Sequence, residues 1–198
     1  MELENAKQQF IDIYTKNIKR EGSKELLEWL QKTDFFTAPA STRFHNNCTA
    51  GLCAHSVNVY NRFKALLDSQ YGKKRSEVIS DESVAIIALL HDVCKIDTYK
   101  SEMRNVKVDN NWVQKPYYTT DDNLPFGHGE KSVYMISGFL KLTREEAMAI
   151  NWHMGGFDSR VMGGASMVMA KAYYNYPVAV LCHMADFMAT YLDEKIYE

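Results

Sequence analysis

The chain has 198 residues, 46% of them apolar and 24% charged, a length typical of one domain with its own core. Its net charge of −2 excludes the basic excess typical of proteins that bind duplex nucleic acid. Four scattered cysteines exclude a disulfide framework, no apolar run approaches the ~18 residues of a transmembrane helix, and the polar N-terminus does not resemble a signal peptide. We therefore expect a cytoplasmic protein with reduced thiols and no membrane partner.

The first 40 residues predict two helices. Apolar residues in the segment 6–19 fall on one helical stripe, and Ser23 is a residue type that caps helices, so a short second helix is expected to begin there. Pro39 argues against a continuing helix. We expect residues 1–40 to form an N-terminal helical extension that packs on the remaining bundle.

The middle of the chain predicts core helices and one hairpin. A helical period returns at Leu52, and the nearly apolar segment 83–95 indicates a central helix packed on most sides. A β-hairpin insertion is predicted near 104–118, because residues 109–111 (Asp-Asn-Asn) tolerate the positive φ of a tight turn. Helical patterns resume after Pro125, and the glycine-rich segment 155–164 is expected to be a mobile loop. The later predicted helices include residues 144–153 and 178–192.

Several histidines and aspartates fall at inward positions near the ends of predicted helices. An unpaired polar group buried in apolar surroundings costs about 1–3 kcal/mol, and an isolated charge costs more. Imidazole nitrogens and carboxylate oxygens that converge on a divalent cation are all satisfied together. A single inward histidine is most often a hydrogen-bonded core residue, but a set of six is a much stronger signal. The set is His55, His91, Asp92, His128, His153 and Asp186.

The order of these residues resembles the HD superfamily of metal-dependent phosphohydrolases in its two-metal form. The similarity covers nearly the whole chain and includes the segments 34–41, 51–56 and 89–95. The resemblance implies an all-α fold, with residues 1–198 forming a single HD-domain helical bundle. The lead-in to the first ligand is similar to the HD domain of some bacterial 3′–5′ exoribonucleases. Those enzymes carry an additional OB-type module for which this chain leaves no room, so polynucleotide substrates are not expected.

The resemblance also implies a role for each ligand. The first metal would be held by His55, His91, Asp92 and Asp186. Asp92 would bridge to a second metal held by His128 and His153. Two such ions can activate a bridging water and clamp both oxygens of a displacement at phosphorus. Mn or Fe is the expected pair, with Ni, Zn or Mg as further candidates. The expected activity is hydrolysis of a small phosphoester such as a nucleotide.

Further residues are candidates for contact with the substrate. Lys95 follows Asp92 by three residues, so its ammonium can reach the same site and hold a phosphate oxygen or the leaving group. Alternatively, Lys95 only terminates its helix and complements the helix dipole. His183 is expected beside the site or at the surface, and not as a ligand. The weaker substrate candidates are Arg43, His45, Lys131 and Arg160.

Two other functions stay open. Mixed-valence diiron oxygenases on the same fold use a very similar ligand pattern, including a lysine three residues after the aspartate, so the ligands alone do not separate them from hydrolases. A non-catalytic domain that senses a nucleotide is the second alternative. The cyclic-dinucleotide-cleaving branch has a second His and a Glu after the fourth ligand, followed by a Gly-Tyr-Pro signature, whereas this chain continues from His153 with Met154-Gly155-Gly156, which argues against that branch. The alarmone-hydrolysing branch has Glu-Asp where this chain has Lys95-Ile96, which argues against it as well. The substrate, the oligomeric state and the role of the hairpin around Trp112 are not predicted.

Overall fold

A computed structural model describes residues 5–195 of the chain. Residues 1–4, on which most of the argument against a signal peptide depends, lie outside this range. Two strands, β1 (Tyr99–Val108) and β2 (Asn111–Thr120), pair as an antiparallel hairpin. The α-helices are α1 (Ala6–Asn17), α2 (Ser23–Lys32), α3 (Gly51–Tyr71), α4 (Arg75–Val78), α5 (Asp81–Leu90), α6 (His128–Ser137), α7 (Arg144–Asn151), α8 (Ser166–Asn175) and α9 (Val178–Met188).

The core lies around α3 and α5, as expected of a mainly helical fold. Helix α3 packs against α1, α5 and α9, and α5 also packs against α7. Every residue of α5 from Val84 to Leu90 is buried, because its sequence is apolar on all sides. None of the described helices is both long and apolar enough to cross a membrane. The predicted mainly helical architecture with one small hairpin is confirmed.

The N-terminal segment is joined to the bundle by a tight approach and an ion pair. Gly22 has a φ of +85° and caps α2, so Ser23 is the first residue of that helix and not its cap as predicted. A Cβ atom on Gly22 would lie 1.9 Å from the carbonyl oxygen of Phe139, so only glycine fits. The guanidinium of Arg20 donates two hydrogen bonds of 2.8 Å to the buried carboxylate of Glu146 at the start of α7.

Two elements in the middle of the chain differ from the prediction. Helix α5 ends at Leu90, where a helix to residue 95 was expected, and the chain then turns before a 3-10 helix at Val93–Lys95. The hairpin spans residues 99–120 and is longer than the predicted 104–118. Asp109 and Asn110, with φ of 48° and 65°, form its two-residue turn. The residues beyond the predicted range, 99–103 and 119–120, include few apolar side chains, so the sequence shows only a weak alternation of apolar and polar residues there.

The C-terminal third also differs. The segment expected to be a glycine-rich loop forms a 3-10 helix at Gly155–Phe157 and a kinked turn at Val161–Ala165, in which Gly164 has a φ of +108°. Helix α8 follows directly, although the sequence analysis predicts none there. Helix α9 ends at Met188, four residues before the predicted end at residue 192, because the chain widens into a π-helical turn at Ala189–Asp193.

Candidate metal centre

The six predicted ligands come together where the ends of five helices meet. His55 lies in the second turn of α3, and Asp186 lies in α9, which packs against it. His128 begins α6. The remaining three follow helix ends, His91 and Asp92 after α5 and His153 after α7. The ends of packed helices thus place side chains that are far apart in sequence within a few ångströms of one another.

A glycine allows α6 to approach α7 closely. A Cβ atom on Gly129 would lie 2.2 Å from the carbonyl oxygen of Asn151, the last residue of α7. The close approach puts the rings of His128 and His153 5.2 Å apart, measured between centroids. Substituting Gly129 would therefore force these two imidazoles apart.

Asp92 lies at the centre of the cluster, and its two oxygens face different histidines. Oδ2 is 3.5 Å from Nε2 of His55 and 3.5 Å from Nε2 of His91. Oδ1 is 2.8 Å from Nε2 of His128 and 3.4 Å from Nε2 of His153. The carboxylate therefore separates two pairs of imidazoles, one pair at each oxygen.

The outer nitrogens of three histidines are held by acceptors outside the cluster. Nδ1 of His91 and Nδ1 of His153 each donate to the backbone carbonyl three residues earlier, at 2.8 and 2.7 Å. Nδ1 of His55 lies 2.9 Å from the buried carboxylate of Glu194. Such outer partners fix the orientation of metal-binding imidazoles and raise their basicity. In each ring Nε2 is left facing the cluster.

Within the cluster these inner nitrogens face one another and the carboxylates, an arrangement that needs a proton or a cation between them. Nε2 of His153 is buried and has no hydrogen-bond partner within residues 5–195. Nε2 of His55 and Nε2 of His91 face each other at 3.2 Å, and Oδ1 of Asp186 is 3.2 Å from the former. Lone pairs that point at one another are satisfied when a cation lies between them. The donor set of imidazoles and carboxylates therefore fits metal ions.

The electrostatics of the cluster also favour positive charge. Burial lowers the pKa of His91 to about 3, so its imidazole is neutral and Nε2 keeps its lone pair. Burial alone would also lower the pKa of His55, but the carboxylates of Glu194 and Asp186 outweigh it and raise this pKa to about 10. Burial opposes the charge of Asp92, yet the neighbouring ammonium of Lys95 and the imidazoles hold its pKa well below its usual range. The field that would hold a proton on His55 would also hold a metal cation.

Lys95 contacts the cluster directly. Its Nζ lies 2.7 Å from Oδ2 of Asp92 and donates to the carbonyl oxygen of Ala40 at 2.7 Å. An ammonium has three N–H donors, so one is left for a further acceptor. Lys95 lines a pocket of about 210 Å³ together with His128 and Lys131, and this pocket opens beside the cluster.

Of the weaker substrate candidates, Lys131 lines this pocket and Arg160 does not belong to its lining. Lys131 is buried in its wall, where Nζ donates to Asp122 at 2.6 Å. Arg160 is held by Asp158 at 2.6 Å and by Glu130 at 2.8 Å, so carboxylates already occupy much of its guanidinium. Contact of either residue with substrate stays a prediction.

The other two candidates lie in the loop before α3. His45 donates from Nδ1 to Glu194 at 2.6 Å, and its ring lies 4.8 Å from that of His55. Arg43 lines a separate groove beside the hairpin. His183, expected beside the site, donates from Nδ1 to the carbonyl oxygen of His153 at 2.7 Å.

Two residues of the site were missed by the sequence analysis. Glu194 binds His45, His55 and the amide of Asn58, and its only sequence signal is a spacing of eight residues from Asp186, about two helical turns. The buried Cys94 has its Sγ 3.5 Å from Nε2 of His128. Glu194 orients the imidazole of His55, and the thiol of Cys94 is a soft potential ligand next to His128.

Comparisons of the chain with protein-family models, curated proteins and solved structures find no match. What the site could do chemically therefore follows from its geometry. The buried His/Asp cluster could bind metal and is compatible with the site of the HD superfamily.

Proposed function

We propose that the protein is a metal-dependent phosphohydrolase of the HD type, with a dinuclear site that acts on a small phosphoester such as a nucleotide. The observation that carries the proposal is the position of Asp92, whose Oδ1 and Oδ2 each face a separate pair of imidazole Nε2 atoms. A carboxylate in this position can bridge two ions. One ion alone would leave one of the two pairs unsatisfied.

The residues divide naturally between the two ions. His55, His91, Asp186 and Oδ2 of Asp92 would hold the first ion. Oδ1 of Asp92, His128 and His153 would hold the second. When bound, two such ions supply Lewis acidity and a water that is deprotonated near neutral pH.

The chain's own cations can bind the phosphate group. Lys95 keeps Asp92 ionised and has one N–H donor free toward the pocket. Lys131 lines the same pocket and donates to Asp122 and to the hydroxyl of Thr98. The two ammonium groups can therefore orient the phosphate oxygens while the buried cluster excludes bulk water from the ligands.

The donor set favours particular metals. Imidazole with carboxylate suits Mn and Fe, and also Ni and Zn, whereas Mg prefers ligand sets of oxygen alone. All four cysteines are free, which fits the reducing cytoplasm that we propose as the compartment.

Metal analysis and a substrate panel test the proposal. We expect the anaerobically purified protein to hold two Mn or Fe ions per chain and to release phosphate or a nucleotide from a panel of phosphoesters. His128→Ala should keep the first ion and lose the second, because only one side of Asp92 is changed. His183→Ala is the matched control, since it removes an imidazole outside the ligand set, and it should keep both ions.

Two results would contradict the proposal in different ways. Oxygen consumption with a small organic substrate and no phosphoester turnover would identify the diiron oxygenase instead. Tight nucleotide binding without turnover by the fully metal-loaded protein would identify a sensing domain.

A further inference from the structure

Helix α8 and the turn before it expose large apolar side chains. Tyr174 is 87% exposed, Met167 is 78% exposed, and Met162 in the preceding turn is 73% exposed. Ala172 is the one buried residue of the helix, so most of the surface of α8 is free. A helix with so few buried contacts of its own is weakly held, and a partner that covers its outer side would stabilise it.

A row of aromatic rings on α9 continues this surface. The rings of Phe187 and Tyr191 are 4.7 Å apart between centroids, and the ring of Phe157 stacks on Phe187 at 6.0 Å. Tyr173 joins the row to α8, because its ring lies 6.4 Å from that of His183, one turn before Phe187. We call this surface the C-terminal apolar face. Its principal exposed members are Phe157, Met162, Met167, Tyr174, Phe187 and Tyr191.

The size of the C-terminal apolar face matches that of a protein interface. A side chain of this size presents about 150–250 Å² when fully exposed, so the six residues leave on the order of 800 Å² open at their exposed fractions. The largest apolar patch of a typical monomer is about 300–600 Å². A stable interface buries about 800 Å² on each partner. The face is therefore larger than a monomer normally exposes and large enough for a dimer.

The sequence of this region is almost free of charge. Between Arg160 and Asp186 Lys171 is the one charged side chain, although charged residues make up 24% of the whole chain. At the border of the face, Arg160 is already paired with Asp158 at 2.6 Å. The face therefore offers a partner apolar contact and, apart from one ammonium group, no pattern of charge to match.

These properties favour a second copy of the same chain as the partner. Interfaces between identical chains are more apolar than other interfaces, and interface centres are poor in charge and enriched in methionine and tyrosine. In a twofold dimer the same face meets itself, so a nearly uncharged face has little repulsion to overcome. A membrane is a poorer fit, because helices that lie on membranes are rich in lysine and arginine along their polar side.

We propose that two copies of the chain associate through the C-terminal apolar face, with their α8 helices antiparallel across a twofold axis. Met167 and Tyr174 are seven residues apart, about two helical turns, so they share the outer side of α8. An axis that passes between them, beside the small and exposed Ala170, places each Met167 against the Tyr174 of the other copy. The inference does not rest on the proposed function, because none of the six ligands belongs to the face.

Sedimentation velocity of the full chain measures the association. We expect the wild type to sediment with twice the mass of one chain at concentrations above about 10 µM, a range in which even a modest dimer is populated. Met167→Glu puts a charge into both halves of the apolar interface and should weaken the dimer at least about 100-fold. Met103→Glu is the matched control, because it makes the same change at an exposed methionine of the hairpin, and it should remain dimeric.

A mixture of two variants tests the pairing of the helices. Tyr174→Lys alone should also dissociate the dimer. When Met167→Glu and Tyr174→Lys are mixed in equal amounts, each new carboxylate faces a new ammonium group of the other chain, so the mixture should associate at least about 10-fold more tightly than either variant alone. Circular dichroism and thermal unfolding like those of the wild type would show that both variants are folded.

Each outcome supports or overturns a defined part of the proposal. A wild type that stays monomeric at about 100 µM, or equal association of Met167→Glu and Met103→Glu, would overturn the dimer. A monomeric wild type that floats with phosphatidylcholine–phosphatidylglycerol vesicles, when Met167→Glu does not, would identify a membrane as the partner instead. A mixture that associates no better than its components would overturn the antiparallel pairing. A dimer that is lost in Met167→Glu but neither binds metal nor hydrolyses a phosphoester would support this inference and overturn the proposed function alone.

Discussion

The metal centre and the hairpin groove use charge in opposite ways. In the metal centre, charged and polar groups are buried on packed helices and compensate one another, as Asp92 does with Lys95 at 2.7 Å. In the groove, cations such as Arg104 and Lys115 lie opposite each other on an exposed two-stranded hairpin without carboxylate partners within residues 5–195. The first arrangement fixes a few buried atoms relative to one another, while the second leaves its cations on the surface with their charges uncompensated.

The largest effect is expected from a substitution of Asp92, which disrupts the metal centre and leaves the groove unchanged. Asp92→Asn removes the charge shared by both halves of the cluster, so both ions should be lost and turnover should fall well beyond the ~10–100-fold typical of outer-partner mutations. Metal analysis after dialysis and phosphoester turnover measure the effect. Asp109→Asn, in the exposed hairpin turn, is the matched control and should change neither. Two retained ions in Asp92→Asn would show that this carboxylate does not bridge them.

The second prediction concerns the frame that supports the centre. Glu146→Gln leaves Arg20 without its buried partner and should lower the free energy of unfolding by about 2–4 kcal/mol at pH 7. Burial opposes the charge of Glu146, but the hydrogen bonds from Arg20 outweigh it and lower its pKa, so the ion pair stabilises the fold above the ordinary glutamate pKa and is lost as pH falls. The difference between wild type and variant in denaturant unfolding should therefore shrink below about pH 4.5.

The neighbouring residue provides the control for this ion pair. Glu145→Gln also removes one negative charge from the first turn of α7. Both substitutions therefore lose the same favourable interaction with the helix dipole. Burial and the adjacent Glu146 raise the pKa of Glu145, so its replacement should be neutral or slightly stabilising. Equal destabilisation by the two substitutions would contradict a specific role of the Arg20 pair.

A smaller effect is expected from Glu194, which orients the imidazole of His55 but is not one of the six proposed metal ligands. In Glu194→Gln the charged acceptor for Nδ1 of His55 becomes neutral, so metal affinity should fall about 10- to 100-fold with the fold intact. A chelator competition titration measures it. The control is Asp193→Asn, at the residue before Glu194. The carboxylate of Asp193 pairs with Arg62 and contacts no histidine of the cluster in the described residues, so this variant should keep the wild-type metal affinity. Equal loss in both would show that only the general packing of this segment matters.

The smallest effect is expected at the tip of the hairpin. Trp112 is 71% exposed and is not part of the groove lining, so it neither packs on the described bundle nor forms the pocket. Trp112→Ala should change the free energy of unfolding by less than about 0.5 kcal/mol and leave phosphoester turnover unchanged. Thermal unfolding and sedimentation together check this. A change in sedimentation would show that Trp112 mediates self-association.

The difference between the two regions also explains what the sequence could predict. Helix α3 packs a continuous face against the core, so its sequence shows a helical period around Leu52. Helix α5 is buried on all sides, so it appears in the sequence as the apolar run before His91. Helix α8 buries only Ala172 and exposes Met167 and Val168, so it has no core-facing period to detect.

The sites divide in the same way. The cluster followed from histidines at inward helical positions, but Glu194 is a single acid without a pattern around it. Helix α5 stops at Leu90, where Asp92 turns to meet His128 and His153 from other parts of the chain, and no local pattern encodes these contacts. The groove arises from the pairing of Arg104 with Lys115 and the approach of Arg43, which is information about register and contact.

The order of the cluster residues along the chain has a consequence for folding. His55 contacts Glu194, which lies 139 residues away in sequence, and it also contacts Asp186 in α9. Contacts between residues so far apart require the entropy of a long loop to be given up before they form. The surroundings of His55 are therefore complete only when the first and last parts of the bundle have packed together, and no single segment of the chain can assemble the cluster by itself.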